Sequence, residues 1–479
     1  MKKQMSQATF GPTDRLFRHG IVNVLNFFVG AAYYAACGVV KQGGLHDMQP
    51  LQIIQQHYGG IIMTSKQRVL DTLNHKQPDR LPIDIGGTAV TGMHVSCVAE
   101  LRDYYGLEKR PAKVSDPFQM LGLIEEDLQE AIGTDVVNVS AGNNLFGFRQ
   151  ENWKEWRAPW GQEVLVPGDF NTTEDDENFY IYPGGDMSVP PSGKLPKSSY
   201  FADAIIRQEE IDDDNLNPED NLEEFTIYSE DEINRHVVAV TEAAKSGKAV
   251  LAALGGTALG DIALVPAPFL KAPKGIRDVA EWYMSTALRP EYIEEVFDKQ
   301  TQIALKNLEA INNKVGTLID AVYVCGTDFG TQIATFCSKD TFRELYLPYY
   351  KRVTDWIHKN TGWKTFKHSC GAIEPFMPLL IEAGIDIINP VQCSATGMDP
   401  ELLKEKYGAD LTFWGGGVDT QQVMPFGTPA EVREQVLERC EIFGKNGGFM
   451  FSAVHNIQGK TPVANIAAMI DAVNEFNGR

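Results

Sequence analysis

A histidine and a cysteine two residues apart, His368 and Cys370 in the run Lys367-His-Ser-Cys-Gly371, carry the strongest chemical signal in the chain. On a β-strand residues i and i+2 point to the same face, so this spacing sets an imidazole beside a thiol. Zinc accepts both donors in tetrahedral sites, and a catalytic zinc uses three protein ligands and keeps one position open. His455, at the close of the last apolar run, is the first candidate for the third ligand, and Cys393 is the second. No Cys-x-x-Cys occurs in the chain to build a structural zinc site instead. Further polar residues stand at or just past the ends of apolar runs: Asp84 and His94, Asp328 and Gln332, Asn389 and Gln392, and Asp419. Asp328 and Asp419 have the chemistry of a proton donor or of a group that orients a substrate hydroxyl, with helix capping as the plain alternative. Asp84, His94, Gln332, Asn389 and Gln392 suit substrate contacts or support of the metal ligands, while His94 also reads as a solvent-facing residue at a helix start.

Residues so far apart converge only if the scaffold brings the ends of many runs to one place. From Met63 onward short apolar runs alternate with helical periodicity, the signature of parallel βαβ units. Eight runs are seen, at 81–87, 135–141, 249–256, 321–330, 365–371, 385–392, 411–418 and 447–456. Eight is the count of a (β/α)8 TIM barrel, an α/β fold whose chemistry collects at the carboxyl ends of the strands. A doubly wound sheet is the alternative, but Gly86-Gly87-Thr88 follows the first run where a dinucleotide-binding turn needs Gly-x-Gly-x-x-Gly.

The pattern breaks between strands 2 and 3, which makes residues 143–235 an insertion, with a hairpin expected over 155–168. Within 168–235, 19 acids stand against three of Lys and Arg before Arg235, so the insertion carries most of the chain's net charge of −21. It reads as a solvated excursion, or as a lid or acidic docking face. Its aromatic residues (Trp153, Trp156, Trp160, Phe179, Tyr180 and Tyr182) suit a small packed hairpin core or a cover over a flat substrate.

With 43% hydrophobic and 22% charged residues in 479, the chain is globular, and its negative field repels nucleic acid and anionic membrane surfaces. Seven scattered cysteines, an odd number, do not describe a disulfide scaffold and fit a reducing cytoplasm. Residues 20–40 are uncharged and about long enough to span a bilayer, but Asn23, Asn26, Tyr33 and Tyr34 interrupt them. Residues 1–62 therefore read as an extension from an upstream start, a docking helix, or a signal or anchor. Met63-Thr-Ser-Lys-Gln-Arg-Val-Leu opens an amphipathic helix with its own cap, so the domain is taken as 63–479.

Longer stretches carry a family resemblance. They are Asp328-Phe-Gly-Thr-Gln332 with Ser338-Lys-Asp-Thr-Phe-Arg343, Tyr346-Leu-Pro-Tyr-Tyr350, His368-Ser-Cys-Gly371, Asp386-Ile-Ile-Asn-Pro-Val-Gln392, Gly415-Gly-Gly-Val-Asp-Thr-Gln421, His455-Asn-Ile-Gln458 and Pro462-Val-Ala-Asn-Ile466. From Met63 to its end the chain resembles the uroporphyrinogen decarboxylase superfamily, and more closely its branch of corrinoid-dependent zinc methyltransferases. The resemblance implies the same (β/α)8 barrel, zinc on His368 and Cys370, and transfer of a methyl group between a small methylated compound and the cobalt of a corrinoid on a partner protein. Thiol-methylating members take a later cysteine as third ligand; this chain has His455 there, which favours activation of a methyl donor such as a methoxylated aromatic, an O-demethylation. In the reaction so implied, zinc acts as Lewis acid on the heteroatom while cob(I)alamin attacks the methyl in line. Porphyrin decarboxylases place arginines after the first strand, and residues 81–101 contain neither Arg nor Lys. A decarboxylase of that type and a non-catalytic member that docks a corrinoid protein are the alternatives, and a homodimer is compatible with either.

Overall fold

The computed structural model describes residues 63–479, apart from Ser140, Gly255 and Gly256. The expectations for residues 1–62, including the uncharged segment 20–40, lie outside the described residues. Seven strands pair in chain order, each parallel to the next. They are β1 (Val136–Val139), β2 (Ala249–Ala253), β3 (Ala321–Cys325), β4 (Lys364–His368), β5 (Ile387–Asn389), β6 (Thr412–Trp414) and β7 (Phe449–Met450).

The first expected strand shrinks to a single bridge, Ile83 with Phe451, yet it closes the barrel. Asp84 N donates to Phe451 O (2.8 Å), Phe451 N to Pro82 O (2.9 Å), and on the other side Asp135 N to Ile83 O (2.8 Å). Pairing stops there because Pro82 has no N–H to give and Gly86, at φ +84°, turns the chain away. The fold is the (β/α)8 barrel expected of eight runs, with one stave reduced to its closing contacts.

Two apolar cores follow from strand alternation. Inside the barrel Val136, Leu251, Ala321, Phe366, Ile387, Trp414 and Met450 fill the lower layer. Helix α1 (Ser65–Leu73) plugs the amino-terminal end, adding Val69 and Leu73 to that layer. The larger core lies between the strands and the surrounding helices. Thr64 caps α1 by accepting from Gln67 N at 3.1 Å, as the sequence cue at Met63 implies. Below the plug, the fully buried Asp135 accepts from Arg68 Nη1 and Arg80 Nη1 (2.8 Å each) and from Ile83 N (3.0 Å), which pins the seam where the barrel closes.

The acidic excursion between β1 and β2 is ordered. The expected hairpin forms as Lys154–Arg157 with Glu163–Val166. Beyond it stands an unforeseen four-stranded antiparallel sheet of Thr172–Glu174, Asn178–Ile181, Gly193–Pro196 and Asp203–Ala204. The aromatic side chains build the excursion's own core: Trp156 meets Phe170 and Phe179 edge to face at 5.2 and 5.4 Å. Its end differs from the boundary at 235, because Ser229 starts barrel helix α3 (Glu230–Ala244; α2 is Val95–Tyr104) with a capping box to Glu232. Glu230, Asp231 and Glu232 therefore sit where the helix dipole favours negative charge.

Candidate active site

The carboxyl end of β4, the turn that follows it and the turn after β7 bring His368, Cys370 and His455 together. One donor atom from each lies within 4.8 Å of the others, the one such group of three among the described residues. His368 Nε2 is 3.4 Å from Cys370 Sγ, and the two imidazole rings are 5.4 Å apart. Asn389 fixes the first ring. Its Nδ2 donates to Trp414 O (2.8 Å), which turns its Oδ1 toward His368 Nδ1 at 2.6 Å. That bond holds the proton on Nδ1 and leaves the Nε2 lone pair facing Cys370, the arrangement of a metal-binding histidine with its supporting partner. Burial pulls both histidines down to about 4, so both are neutral donors at neutral pH. Burial also holds the Cys370 thiol well above its usual range, with the Asp328 carboxylate adding to the effect. A divalent cation is what such a thiol needs to ionise.

The donor set suits zinc, with one rearrangement required. His455 Nδ1 accepts from Asn456 N (2.8 Å), so its neutral ring carries the proton on Nε2, and the ring has to release that amide or turn to offer Nε2. Cys393 lies apart from the cluster: its thiol donates to Val391 O at 3.6 Å, and burial raises it to about 11.

A cavity of about 450 Å³ opens beside the cluster, reaching Cys370, His455, Gln332, Gln392 and Asp419. Gln392 Oε1 accepts from Gly371 N (2.9 Å) and its Nε2 donates to Gln332 Oε1 (2.8 Å), tying three turns together along the cavity wall. Two glycines make this wall thin. A Cβ on Gly371, at φ +88°, would lie 2.3 Å from Gly330 O, so the turns after β3 and β4 touch backbone to backbone. Asp328 accepts from Cys370 N (2.7 Å) and lies 3.9 Å from His368 Nε2, next to the cluster. Asp419 spends Oδ1 on Gln421 N and Gln422 N (2.9 and 2.6 Å), a turn-capping role at the cavity edge.

Two further candidates lie away from the cavity. Asp84 is fully buried, with Oδ1 on Gly87 N and Oδ2 on Trp414 Nε1 (2.7 Å each), and burial raises it to about 6. His94 does start α2, but it is buried rather than solvent-facing, because the excursion covers it. Its Nε2 lies 3.0 Å from Tyr200 O, and its ring meets Trp160 and Tyr200 at 4.8 and 5.5 Å. Met93 and Phe329 are core residues.

A family model for uroporphyrinogen decarboxylase (URO-D) matches residues 216–476, more than half of the chain. The chain belongs to the uroporphyrinogen decarboxylase family. Among solved structures it is similar to a methyltransferase from Methanosarcina mazei, at 14% identity over 87% of this chain and 99% of that one, with a TM-score of 0.48. It is also similar to endo-glycoceramidase II from Rhodococcus sp., at 14% identity over 53% and 68% of the two chains, with a TM-score of 0.32. No curated protein matches. Within the uroporphyrinogen decarboxylase fold, the cluster, the cavity and the polar wall all lie at the carboxyl end of the strands, where barrel enzymes hold their chemistry. Among the described residues no helix is long and apolar enough to cross a membrane.

Proposed function

We propose that this uroporphyrinogen decarboxylase family member is a zinc-dependent methyltransferase that passes a methyl group from a small methylated donor to a corrinoid on a partner protein. The observation that carries the reading is the cluster of His368, Cys370 and His455 at an open cavity, with the His368 proton held away from the cluster by Asn389. A bound zinc ion supplies Lewis acidity to the heteroatom that carries the methyl group. The chain's own residues do the rest. His368 and Cys370 present neutral nitrogen and ionisable sulfur, Asn389 fixes the ring, and Asp328 anchors Cys370 through its amide and faces the cluster, where its carboxylate can orient a bound donor. Gln332 and Gln392 offer amide groups to a bound donor. Porphyrin decarboxylation is disfavoured by the stretch 81–101, which has no Arg or Lys to grip carboxylates. In this reading the chain works in the cytoplasm, and the acidic excursion is a candidate contact face for the partner.

The test is anaerobic. Purified protein is mixed with cob(I)alamin and a panel of methyl donors while the cobalamin spectrum is followed toward methylcobalamin, and metal content is measured alongside. The expected result is a donor-dependent shift that chelation abolishes, with about one zinc per chain that Cys370→Ser loses. Protein without zinc, or a zinc-loaded protein inert with every donor in both directions of transfer, overturns the proposal; partner binding unchanged in Cys370→Ser without turnover by either protein points to a docking role.

A further inference from the structure

The donor residues of the cluster are not held alike. His368 ends a strand and its ring is fixed by Asn389. His455 lies in the loop between β7 and the last helix (Val463–Phe476). Among the described residues its ring has no hydrogen-bond partner beyond the amide of its own neighbour, Asn456. Its place therefore depends on how the backbone of that loop is held.

The residues that follow it are tied down in turn. Asn456, fully buried, accepts from Gly92 N through Oδ1 (2.7 Å) and donates to Ala89 O through Nδ2 (2.9 Å), and Ile457 O accepts from His94 N (2.8 Å). From Gly459 on, the holder is Tyr200. A Cβ on Gly459 would lie 2.5 Å from Tyr200 Cδ1, so the tyrosine ring rests directly on glycine backbone. Lys460 carries its ammonium over the same ring, 4.8 Å from the centre, and takes the left-handed region at φ +68°, which a residue with a side chain keeps only where its surroundings impose it.

Tyr200 belongs to the acidic excursion, between its strands Gly193–Pro196 and Asp203–Ala204. Trp160 stacks on its ring, and its carbonyl accepts from His94 Nε2 (3.0 Å). His94 thus joins the two parts, bonding the excursion through its ring and the His455 loop through its amide. The contacts of this one tyrosine all fall close behind a metal donor in the chain, although Tyr200 itself stands outside the cavity wall.

We propose that the acidic excursion is a positioning element of the metal centre: through Tyr200 it clamps the loop after β7 and holds His455 within reach of His368 and Cys370, so that excursion and metal stabilise each other. The proposal rests on the cluster being a metal site and not on methyl transfer.

Zinc affinity of the full chain, measured by competition with a chromophoric chelator, tests it. Tyr200→Ala is expected to weaken zinc by roughly 10- to 100-fold, the usual cost of losing what orients a metal ligand, while Tyr200→Phe, which keeps the ring, binds as the parent does. In a His455→Ala background Tyr200→Ala is expected to change zinc affinity by less than about twofold, because the ligand it acts through is gone; a merely structural role would bring the same loss in both backgrounds. Coupling is reciprocal, so the unaltered chain gives a second readout: zinc is expected to slow proteolytic cutting within the excursion severalfold in the parent and not in His455→Ala. Unchanged or tighter zinc binding by folded Tyr200→Ala, equal losses in the two backgrounds, or cutting that zinc does not slow would overturn the inference and leave the metal site standing. A parent chain that holds no zinc would overturn the metal reading and the inference with it.

Discussion

His368 is a useful donor because of a residue that never reaches the cavity. Asn389 is fully buried and its amide is oriented by Trp414 O, so replacing it with Leu frees the imidazole to change tautomer. Zinc affinity of Asn389→Leu, measured by competition with a chelator, is expected to fall by roughly 10- to 100-fold while the fold survives. Asp84 makes a pH prediction. Its folded value of about 6 lies above the ordinary 3.8, so between these values the native state keeps a proton the unfolded chain has released. Its contribution to stability is therefore lost as pH rises from about 4 to 6. Urea titrations of Asp84→Asn across that window are expected to show a flatter pH dependence, on top of about 1–3 kcal/mol lost at every pH because one of two N–H donors loses its acceptor. His368 and Cys370 were legible in the sequence because a two-residue spacing on a strand is itself geometry. Gly330 was not, since a glycine gains meaning only from the backbone that approaches it, here Gly371 in the turn after the next strand.

At the level of elements, alternating apolar runs foretold the strands of the barrel, because each long run bounded by helices has few other ways to bury itself. The strands of the excursion escaped notice: two to four residues long and mixed in polarity, they are held by pairing more than by composition. The seam of the barrel rests on Asp135, which binds two guanidinium groups and the amide of Ile83. Asp135→Ala removes the carboxylate that bridges Arg68 and Arg80, leaving Arg68 with Asp79 and the Ile83 amide without its acceptor, and is expected to cost about 3–5 kcal/mol in chemical denaturation. Trp160 and Tyr200 hold the excursion to His94, stacked 5.2 Å apart. Trp160→Ala is expected to expose the excursion to limited proteolysis well below the melting temperature of the barrel, since it loosens a local contact and spares the main core.

For the molecule as a whole, the two ends of the described chain meet at the seam: Asn477 accepts from Leu81 N (2.8 Å) and donates to Leu81 O (3.1 Å). A chain that starts at Met63 keeps these contacts and is expected to unfold cooperatively in a calorimetric melt. The plug formed by α1 has a kinetic consequence. Val69 and Leu73 stop the barrel at one end, so on the proposed function a small methyl donor and a protein that carries the methyl acceptor would reach the cluster by the same doorway. Two reactants with one entrance must queue. On that function donor binding is expected to precede docking of the larger partner, giving an ordered steady-state pattern in which partner protein in excess slows turnover by closing the entrance before the donor has passed through it.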